Sequence, residues 1–592
     1  MRMQGISDNL PSSKSFQTLV FGIWAVLGLG LMGCVANPVA ITSEVLAVEK
    51  ASTPEVKEHK RFAVRSFPEG TLLALLSAEI AGYRGDYQSA LETYLAEARK
   101  TGDPGVAARV TRLAAYMKAE QALFEAAEIW TAADPTSLEA HQFLADQLVK
   151  RGAFYEAFQV MQAIEALNGK PQYDFFAYRV GSISKAERAQ ILSGLKQMLL
   201  EDPDAVEVLF SIGAILQSLD QLDEASGIAD RLLVLAPEEL NFVILKANLL
   251  SALKQPEDAI ALLRAQLNSN PDRHSLRMLL ARGLFERRNL AEARQEYERL
   301  HQVLPEDGEV LFALAVLSIE DGQYDQARRH LLRLVRTEQR VNQAQYYLGR
   351  VAEKTEDTAL ALREYNKVAG GYEFISAQGR VADLMQESQG LEAARQHLAQ
   401  QRQRLPSLAA QFELLEGQML SRLGLKDSLF AHLDDAIGAH PEDIPLLYFR
   451  AMSGQRFGDL VILERDLKEV IRLDPDNADA MNALGYTLAD QTDRFDEALD
   501  LISQALAIKP DEPAFIDSMG WVLYRLNRLE EALPYLERAL ALFPNDEVAA
   551  HLGEVLWASG QKRQAKKIWR EALKDYPDSV YIRSVLERFL DS

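Results

Sequence analysis

The chain has 592 residues, a formal net charge of −22 at neutral pH and hydrophobic side chains at 48% of its positions. This composition is that of a folded protein. The chain is longer than the chains that fold around a single hydrophobic core, so its length predicts either several domains or a repeat array. So acidic a surface would repel the phosphates of DNA and RNA, and no basic stripe with interleaved aromatic residues offsets it. The composition therefore argues against nucleic acid as a partner.

The first segment, residues 1–33, is predicted to be a signal peptide. Arg2 and Lys14 precede an apolar stretch from Thr18 to Met32 that carries no charge. A basic start followed by an apolar stretch of this length is typical of secretory signals. The stretch is shorter than the roughly 20 residues that a membrane-spanning helix needs.

The only cysteine of the chain, Cys34, ends the run Leu31-Met32-Gly33-Cys34. This run resembles the lipobox of bacterial lipoproteins. The resemblance implies cleavage between Gly33 and Cys34 and acylation of Cys34 by palmitate-like chains. Because Val35 follows, it also implies an outer-membrane location facing the periplasm of a Gram-negative bacterium. Several acyl chains would hold the protein stably.

Two other roles for Cys34 are weaker. A nucleophilic cysteine would need a base nearby, and the first histidine is His59, across a polar stretch. A buried structural thiol would need a folded surrounding, and residues 34–68 show no sustained apolar period. We therefore interpret residues 34–68 as a flexible tether.

Proline recurs at intervals close to 34 residues over the rest of the chain, which predicts repeats. It ends one unit and opens the next, because it cannot continue a helix. Most of these prolines precede an acidic residue or asparagine, which we expect to cap or favour the following helix. We predict an array of about 14 repeats over residues 69–579, degenerate at 166–202 and 370–405, with a capping helix at 580–592. The prolines stand at positions 203, 237, 271, 305, 406, 441, 475, 510, 544 and 577.

Small residues keep register inside each repeat, which predicts two antiparallel helices of about 13 residues. Only glycine, alanine or serine permits close approach of two backbones at a helix crossing. The crossing residues predicted in the last three repeats are Gly485, Ala498, Gly520, Ala532, Gly553 and Ala565.

The run Asn482-Ala483-Leu484-Gly485-Tyr486, followed by Ala498, Ala505 and Pro510, resembles the tetratricopeptide repeat (TPR). The resemblance implies an all-α fold, a TPR α-solenoid in which helix-turn-helix repeats form a superhelix with an inner groove. It also implies that certain first-helix residues bind partners there, although packing between neighbouring repeats is the alternative explanation for the aromatic ones. The candidate groove residues are Asn482, Tyr486, Trp521, Tyr524, Arg525 and Trp557.

No catalytic, metal or cofactor motif is found in the sequence. The nine histidines form no ligand spacing on a single helix and are predicted to lie at the surface or at helix termini. Phosphate-binding glycine loops and the Gly-x-Ser-x-Gly motif are missing as well. We therefore expect a protein that is not an enzyme and uses no metal or cofactor.

Several blocks resemble a narrower proteobacterial family of outer-membrane TPR lipoproteins, related to the pseudomonad adaptor of a periplasmic carboxyl-terminal processing protease. They are 71–91, 103–117, 482–490 and 548–560. The resemblance implies a scaffold that activates the protease and presents peptidoglycan hydrolases to it. A scaffold for outer-membrane assembly, polysaccharide export or peptidoglycan synthesis is the alternative, and an enzyme in its own right is a third.

Overall fold

The computed structural model describes residues 66–590, and within that range it is helical with no strands. The predicted all-α fold is therefore confirmed. Between residues 66 and 590, no helix has both the length and the apolar character that crossing a bilayer requires. The signal peptide, the cleavage site at Gly33 and Cys34, and the tether up to residue 65 lie outside the described residues.

The chain forms two compact units, one ending at Leu300 and one beginning at His301. The last helix of the first unit runs a few residues past this boundary. In chain order the helices of the first unit are α1 Thr71–Tyr83, α2 Tyr87–Thr101, α3 Pro104–Met117, α4 Glu120–Ala133, α5 Leu138–Arg151, α6 Phe154–Ala166, α7 Phe175–Arg179, α8 Lys185–Met198, α9 Val206–Ser218, α10 Leu222–Leu235, α11 Leu240–Ala252, α12 Pro256–Ser269, α13 His274–Glu286 and α14 Leu290–Val303.

The second unit continues in the same manner to the end of the described residues. Its helices are α15 Gly308–Glu320, α16 Tyr324–Arg336, α17 Val341–Lys354, α18 Thr358–Tyr365, α19 Glu373–Gln389, α20 Leu391–Arg404, α21 Ala409–Arg422, α22 Lys426–Ala439, α23 Ile444–Phe457, α24 Leu460–Leu473, α25 Ala478–Gln491, α26 Phe495–Ile508, α27 Pro513–Arg525, α28 Leu529–Leu542, α29 Asp546–Ala558, α30 Lys562–Asp575 and α31 Val580–Leu590.

Successive helices pack as pairs joined by short turns, and several first helices also contact the first helix of the next pair. The turn inside many of these pairs uses a residue with positive φ. From Asp220 to Gly458 these residues recur at every thirty-fourth position, including Lys254, Arg288 and Glu356. Residues other than glycine rarely adopt a positive φ. Its recurrence at Asp220, Lys254, Arg288 and Glu356 shows that the repeat keeps the backbone geometry of the turn even where the residue is not glycine.

The small residues of the last repeats lie where the two helices of a pair meet. A Cβ atom on Gly485 would lie 2.7 Å from Ile502 Cγ1, and one on Gly553 would overlap the indole of Trp569. At Gly520 the obstacle is Leu536, 2.5 Å away. The absence of a side chain therefore lets each pair close tightly. The predicted alanines on the second helices are fully buried, namely Ala498, Ala532 and Ala565.

The residue after the proline, predicted to cap or favour the next helix, does not cap it at several positions. Asp204, Glu306 and Asp511 lie one position too early, and their carboxylates instead accept from an arginine on the second helix of the same pair. The residue that caps α15 is Asp307, which follows Glu306. Its carboxylate accepts from backbone N–H groups in the first turn of α15. Asn545 does cap α29, accepting from the backbone N–H of Val548.

The two segments predicted to be degenerate depart from the pattern in different ways. Within 166–202 the first helix shrinks to α7, which has five residues, followed by a 3-10 turn at Val180–Ser182. Buried aromatic side chains such as Tyr173 and Phe176 fill the space there. Within 370–405 the first helix α19 lengthens to 17 residues, after α18 with only eight.

The helix α31 packs against α29 and α30. The ring of Phe589 lies 5.9 Å from that of Trp557 and 6.2 Å from that of Trp569. It thereby covers apolar side chains of the preceding pair, as a terminal helix of a repeat array must.

Candidate functional site

An open pocket of about 470 Å³ lies across the first helices of four consecutive pairs in the second unit. This volume is within the usual range of ligand sites. Successive first helices each contribute to it, so repetition of one helix pair is what builds the surface. Its lining comprises Gln455 of α23, Asn482, Ala483 and Tyr486 of α25, Glu512 directly before α27, Pro513, Ala514, Asp517 and Ser518 of α27, Phe543 directly after α28, and Asn545, Glu547 and Val548 at the start of α29.

A buried ion pair joins α27 to α29 beside this pocket. His551 Nδ1 donates to both carboxylate oxygens of Asp517, at 3.1 and 3.0 Å. The imidazole stacks on the indole of Trp521, with ring centroids 4.2 Å apart and planes 25° apart. Both members of the pair are less than a tenth exposed. This contact fixes neighbouring first helices relative to each other.

The charge of this pair depends on its acidic surroundings. Burial lowers the pKa of His551, but the charges of Asp517, Glu547 and Glu554 together outweigh burial and raise it above its ordinary value. The imidazole is therefore stabilised in its protonated form, as expected for a histidine that faces several carboxylates.

The pocket wall contains a second acidic contact, between α25 and α29. The hydroxyl of Tyr486 donates to Glu547 Oε1 at 3.0 Å. Burial, with the charges of Asp517 and Asp546, raises the pKa of Glu547. Burial and the charge of Glu547 raise the pKa of the Tyr486 hydroxyl, which stays protonated and acts as the donor.

A further network extends from α27 to α31. Arg588 donates to both carboxylate oxygens of the buried Glu554, at 3.0 and 2.7 Å. Glu554 also accepts from the Tyr524 hydroxyl at 3.2 Å. Burial, followed by the charge of Glu554, raises the pKa of Tyr524 to about 12. This network joins three helices and satisfies the carboxylate of Glu554.

Two polar atoms in or behind the pocket wall are shielded from solvent and have no hydrogen-bond partner among the described residues. One is Asn482 Oδ1 on the pocket wall, and the other is Trp521 Nε1. Buried polar atoms are usually satisfied, so each such atom requires an explanation. An acceptor left open on a pocket wall is suited to a donor from a bound molecule.

The structure separates the six predicted groove residues. Asn482 and Tyr486 line the pocket, while Trp521 lies behind it against His551. Tyr524 is committed to Glu554. The assignment of these four predicted residues to partner binding stays a prediction.

The other two predicted residues make contacts within the array. Arg525 donates to the backbone oxygen of Asp490 at 2.8 Å, and its guanidinium lies 4.9 Å from the ring of Phe495. Arg525 thus satisfies a backbone carbonyl group at the C-terminal end of α25. Trp557 packs against Trp569, with centroids 5.8 Å apart. Both sets of contacts are those of residues that pack within the array, which the sequence analysis gave as the alternative to partner binding.

The polar core of the site was missed by sequence reasoning. His551 was expected at the surface or a helix end, and that is wrong, because it is 7% exposed in the middle of α29. The same correction applies to His432, which is also buried in the middle of its helix. A usable signal existed, since Asp517 stands three residues before its crossing glycine, as Asn482 does in the preceding repeat.

A metal-like cluster elsewhere in the second unit was also missed. Single ligand atoms of Glu413, Glu416 and His432 lie within 4.8 Å of one another. They come from α21 and α22, so no single-helix spacing could reveal them. Glu416 accepts from Arg395 at 2.7 Å and from Arg402 at 2.8 Å. Two guanidinium groups already neutralise this carboxylate, so the cluster is an ion-pair network that holds neighbouring pairs together.

Paired helices stacked at one period, with small residues at the crossings and a pocket formed by successive first helices, define a helical repeat protein. Tetratricopeptide repeat models match residues 284–351 and 523–589, and residues 244–307 and 464–513. The class is therefore a TPR interaction scaffold with an all-α TPR solenoid fold.

The chain is 37% identical over 511 residues to the TPR repeat-containing protein PA4667 of Pseudomonas aeruginosa. The match covers 86% of this chain and 85% of that protein. The chain belongs to the tetratricopeptide-repeat family that this relative represents.

Solved TPR structures also match parts or most of the chain. The TPR protein TTC0263 of Thermus thermophilus is 24% identical, and the match covers 30% of this chain and 99% of that one, with a TM-score of 0.27. The APC/C assembly Cut9–Hcn1 is 13% identical, and the match covers 88% of this chain and 97% of that one, with a TM-score of 0.32.

Proposed function

We propose that this protein is a non-catalytic, lipid-anchored scaffold of the periplasm that binds partner proteins in the pocket of α23, α25, α27 and α29. Anchored to the outer membrane through Cys34, it assembles a carboxyl-terminal processing serine protease and brings peptidoglycan hydrolases to it as substrates. On this proposal the partner carries the serine nucleophile, and this chain performs no hydrolysis.

The observation that carries the proposal is the open pocket on consecutive first helices, beside a rigid buried network. A pre-formed surface binds with a smaller loss of conformational freedom than a mobile one. The site offers shape, aromatic side chains and an unpaired acceptor, which suit recognition. Among the described residues that line it, Ser518 is the one serine, and no histidine accompanies it in the lining to act as its base.

The anchor and the partner are supported by sequence. The Leu-x-Gly-Cys run resembles a lipobox, and blocks such as 482–490 and 548–560 resemble the protease-adaptor lipoproteins. The relative from a pseudomonad is consistent with that resemblance, although its name states only its repeats.

The proposal is tested by isolating the anchored protein from envelope extracts and identifying co-purifying proteins by mass spectrometry. Recovery of a processing protease, whose casein cleavage rises when the purified scaffold is added, supports the proposal. Consistent absence of the protease overturns the adaptor role, and recovery of assembly, polysaccharide-export or peptidoglycan-synthesis proteins would replace it. Cleavage by the purified scaffold alone would overturn the non-catalytic part.

A further inference from the structure

The pocket that crosses α25, α27 and α29 is acidic as well as open. Glu512, Asp517 and Glu547 belong to its lining, and the described residues that line it include no lysine or arginine. A partner group that enters this space meets carboxylates of α27 and α29, which lie at or near the N-terminal ends of these two helices. Low-dielectric walls strengthen such a field relative to an exposed acidic surface.

The titration of neighbouring groups reports the same field. The pKa of Tyr581 on α31 is raised first by the charge of Glu547, then by burial and by Asp546 and Asp490. The pKa of Glu547 itself is raised, mainly by burial. The shift of Tyr581 is the one expected near a concentration of negative charge, whereas the shift of Glu547 mainly reflects its burial and is opposed by the charge of His551.

The pocket also offers acceptors with hydrogen-bonding capacity to spare. Asn482 Oδ1 is shielded from solvent on the wall and has no hydrogen bond within the described part of the chain. The carboxylate of Glu547, which can accept several, accepts one from the Tyr486 hydroxyl. A ligand that brings several N–H donors would satisfy these atoms, whereas an acidic or purely apolar group would leave them unsatisfied.

The contrast with the acidic cluster of α21 and α22 is informative. There Arg395 and Arg402 reach Glu416 from within the chain and complete its hydrogen bonds. The lining of the pocket supplies no such guanidinium from the described residues. Its apolar groups suit the methylene stem of a long basic side chain, and they belong to Pro513, Phe543 and Val548.

We infer that this pocket binds an arginine side chain presented by an extended segment of the partner protein. The planar guanidinium supplies five donors, enough for Asn482 and for the carboxylates of Glu547 and Glu512, which the three donors of a lysine would match less fully. This inference rests on the proposed scaffold function and states the chemistry by which the scaffold selects its partner.

The test uses the full chain solubilised in mild detergent and a fluorescein-labelled peptide made of three Gly-Ala-Arg-Ala units. Binding is followed by fluorescence anisotropy, alongside peptides that carry lysine, citrulline or glutamate in place of arginine. Citrulline keeps the shape of arginine without the charge. We expect binding to fall in the order arginine, lysine, citrulline, with none for glutamate, and to weaken with added salt.

The variants Glu547→Gln and Asn482→Leu should each weaken binding of the arginine peptide about tenfold. The matched control Glu530→Gln removes one charge from the exposed face of α28 and should leave binding within about twofold. The variant Ala514→Trp fills the pocket from an exposed position, so it tests the site without altering the buried network. Circular dichroism checks that each variant is folded.

Equal binding of the citrulline peptide, or an equal loss in Glu530→Gln, would overturn the inference, because either result means nonspecific attraction. Unchanged binding by Ala514→Trp would place the peptide elsewhere and also overturn it. If these variants still recover the protease from envelope extracts, the scaffold function stands and the arginine pocket falls. If neither wild type nor variants recover it while the arginine peptide binds as expected, the pocket stands and the adaptor role falls.

Discussion

His551 of α29 stacks on Trp521 of α27 at a centroid distance of 4.2 Å while donating to Asp517 on the same helix as the tryptophan. One side chain thus joins two successive repeats through an apolar and an ionic contact. The pair lies directly behind the pocket wall, so the stability of the network and the shape of the pocket are linked.

Unfolding of the second unit should depend on pH through His551. Its folded pKa is raised, so its contribution to stability is complete below the ordinary histidine pKa and is lost as pH rises through the folded value. Urea midpoints should therefore fall as the pH is raised above roughly 6.5. Three carboxylates face the imidazole, those of Asp517, Glu547 and Glu554, and Asp517 is hydrogen-bonded to it. Asp517→Asn removes that charge and should flatten the dependence of the urea midpoint on pH. Equal slopes in wild type and variant would contradict the prediction.

Ala532 tests the close approach of α27 and α28. It is fully buried, and its backbone oxygen lies 3.3 Å from where a Cβ on Gly520 would stand. Ala532→Leu should overpack the crossing and lower stability by about 1–3 kcal/mol. Ala541→Leu, at an exposed position of the same helix, is the control and should be nearly neutral. A wild-type melting temperature for Ala532→Leu would contradict the buried register.

The helix pairing could be predicted because proline and the small crossing residues stand at fixed positions. The left-handed turn residue escaped prediction because its identity changes from Asp220 to Lys254 to Gly322 while its conformation does not. The pocket escaped in part because its residues come together only in the fold. Asn482 belongs to the repeat pattern, whereas His551 matters only because α27 places a carboxylate opposite it.

The left-handed turn can itself be tested at Lys254, which has a φ of 60° and is exposed. Lys254→Gly removes the energetic cost of a positive φ at a residue with a side chain. The greater conformational freedom of glycine in the unfolded chain offsets part of this gain. The net effect on the free energy of unfolding should be a gain of up to about 1 kcal/mol.

A glycine introduced inside a helix should have the opposite effect. The exposed residue Gln295 of α14 therefore serves as the control, and Gln295→Gly should cost about 1 kcal/mol. Urea denaturation of both variants measures the difference. A loss of stability in Lys254→Gly would contradict the turn geometry.

A buried ion pair lies on the helix pair that begins the pocket. Arg450 of α23 donates to Asp466 of α24 at 2.6 and 2.9 Å, and both side chains are buried. Arg450→Met leaves the buried carboxylate of Asp466 with one remaining guanidinium partner, Arg465 at 2.8 Å, and should cost about 3 kcal/mol, the lower end of the range for a broken buried pair.

The double variant Arg450→Met with Asp466→Leu should recover much of that loss, because an apolar pair of similar volume replaces two desolvated charges. Denaturant midpoints for both singles and the double form a double-mutant cycle. Additive losses in the double variant would mean that the two side chains are not coupled.

The most direct measurement of the central claim is site-specific photocrosslinking in intact cells. A photoreactive residue is placed at Ala514, exposed in the pocket, or at Glu537, exposed on the second helix of the same pair. The proposed scaffold function predicts that Ala514 captures a carboxyl-terminal processing protease while Glu537 captures none. The inference of an arginine pocket predicts in addition that Glu547→Gln reduces the yield at Ala514. Capture of the protease at Glu537 but not at Ala514 would contradict the groove as its binding surface.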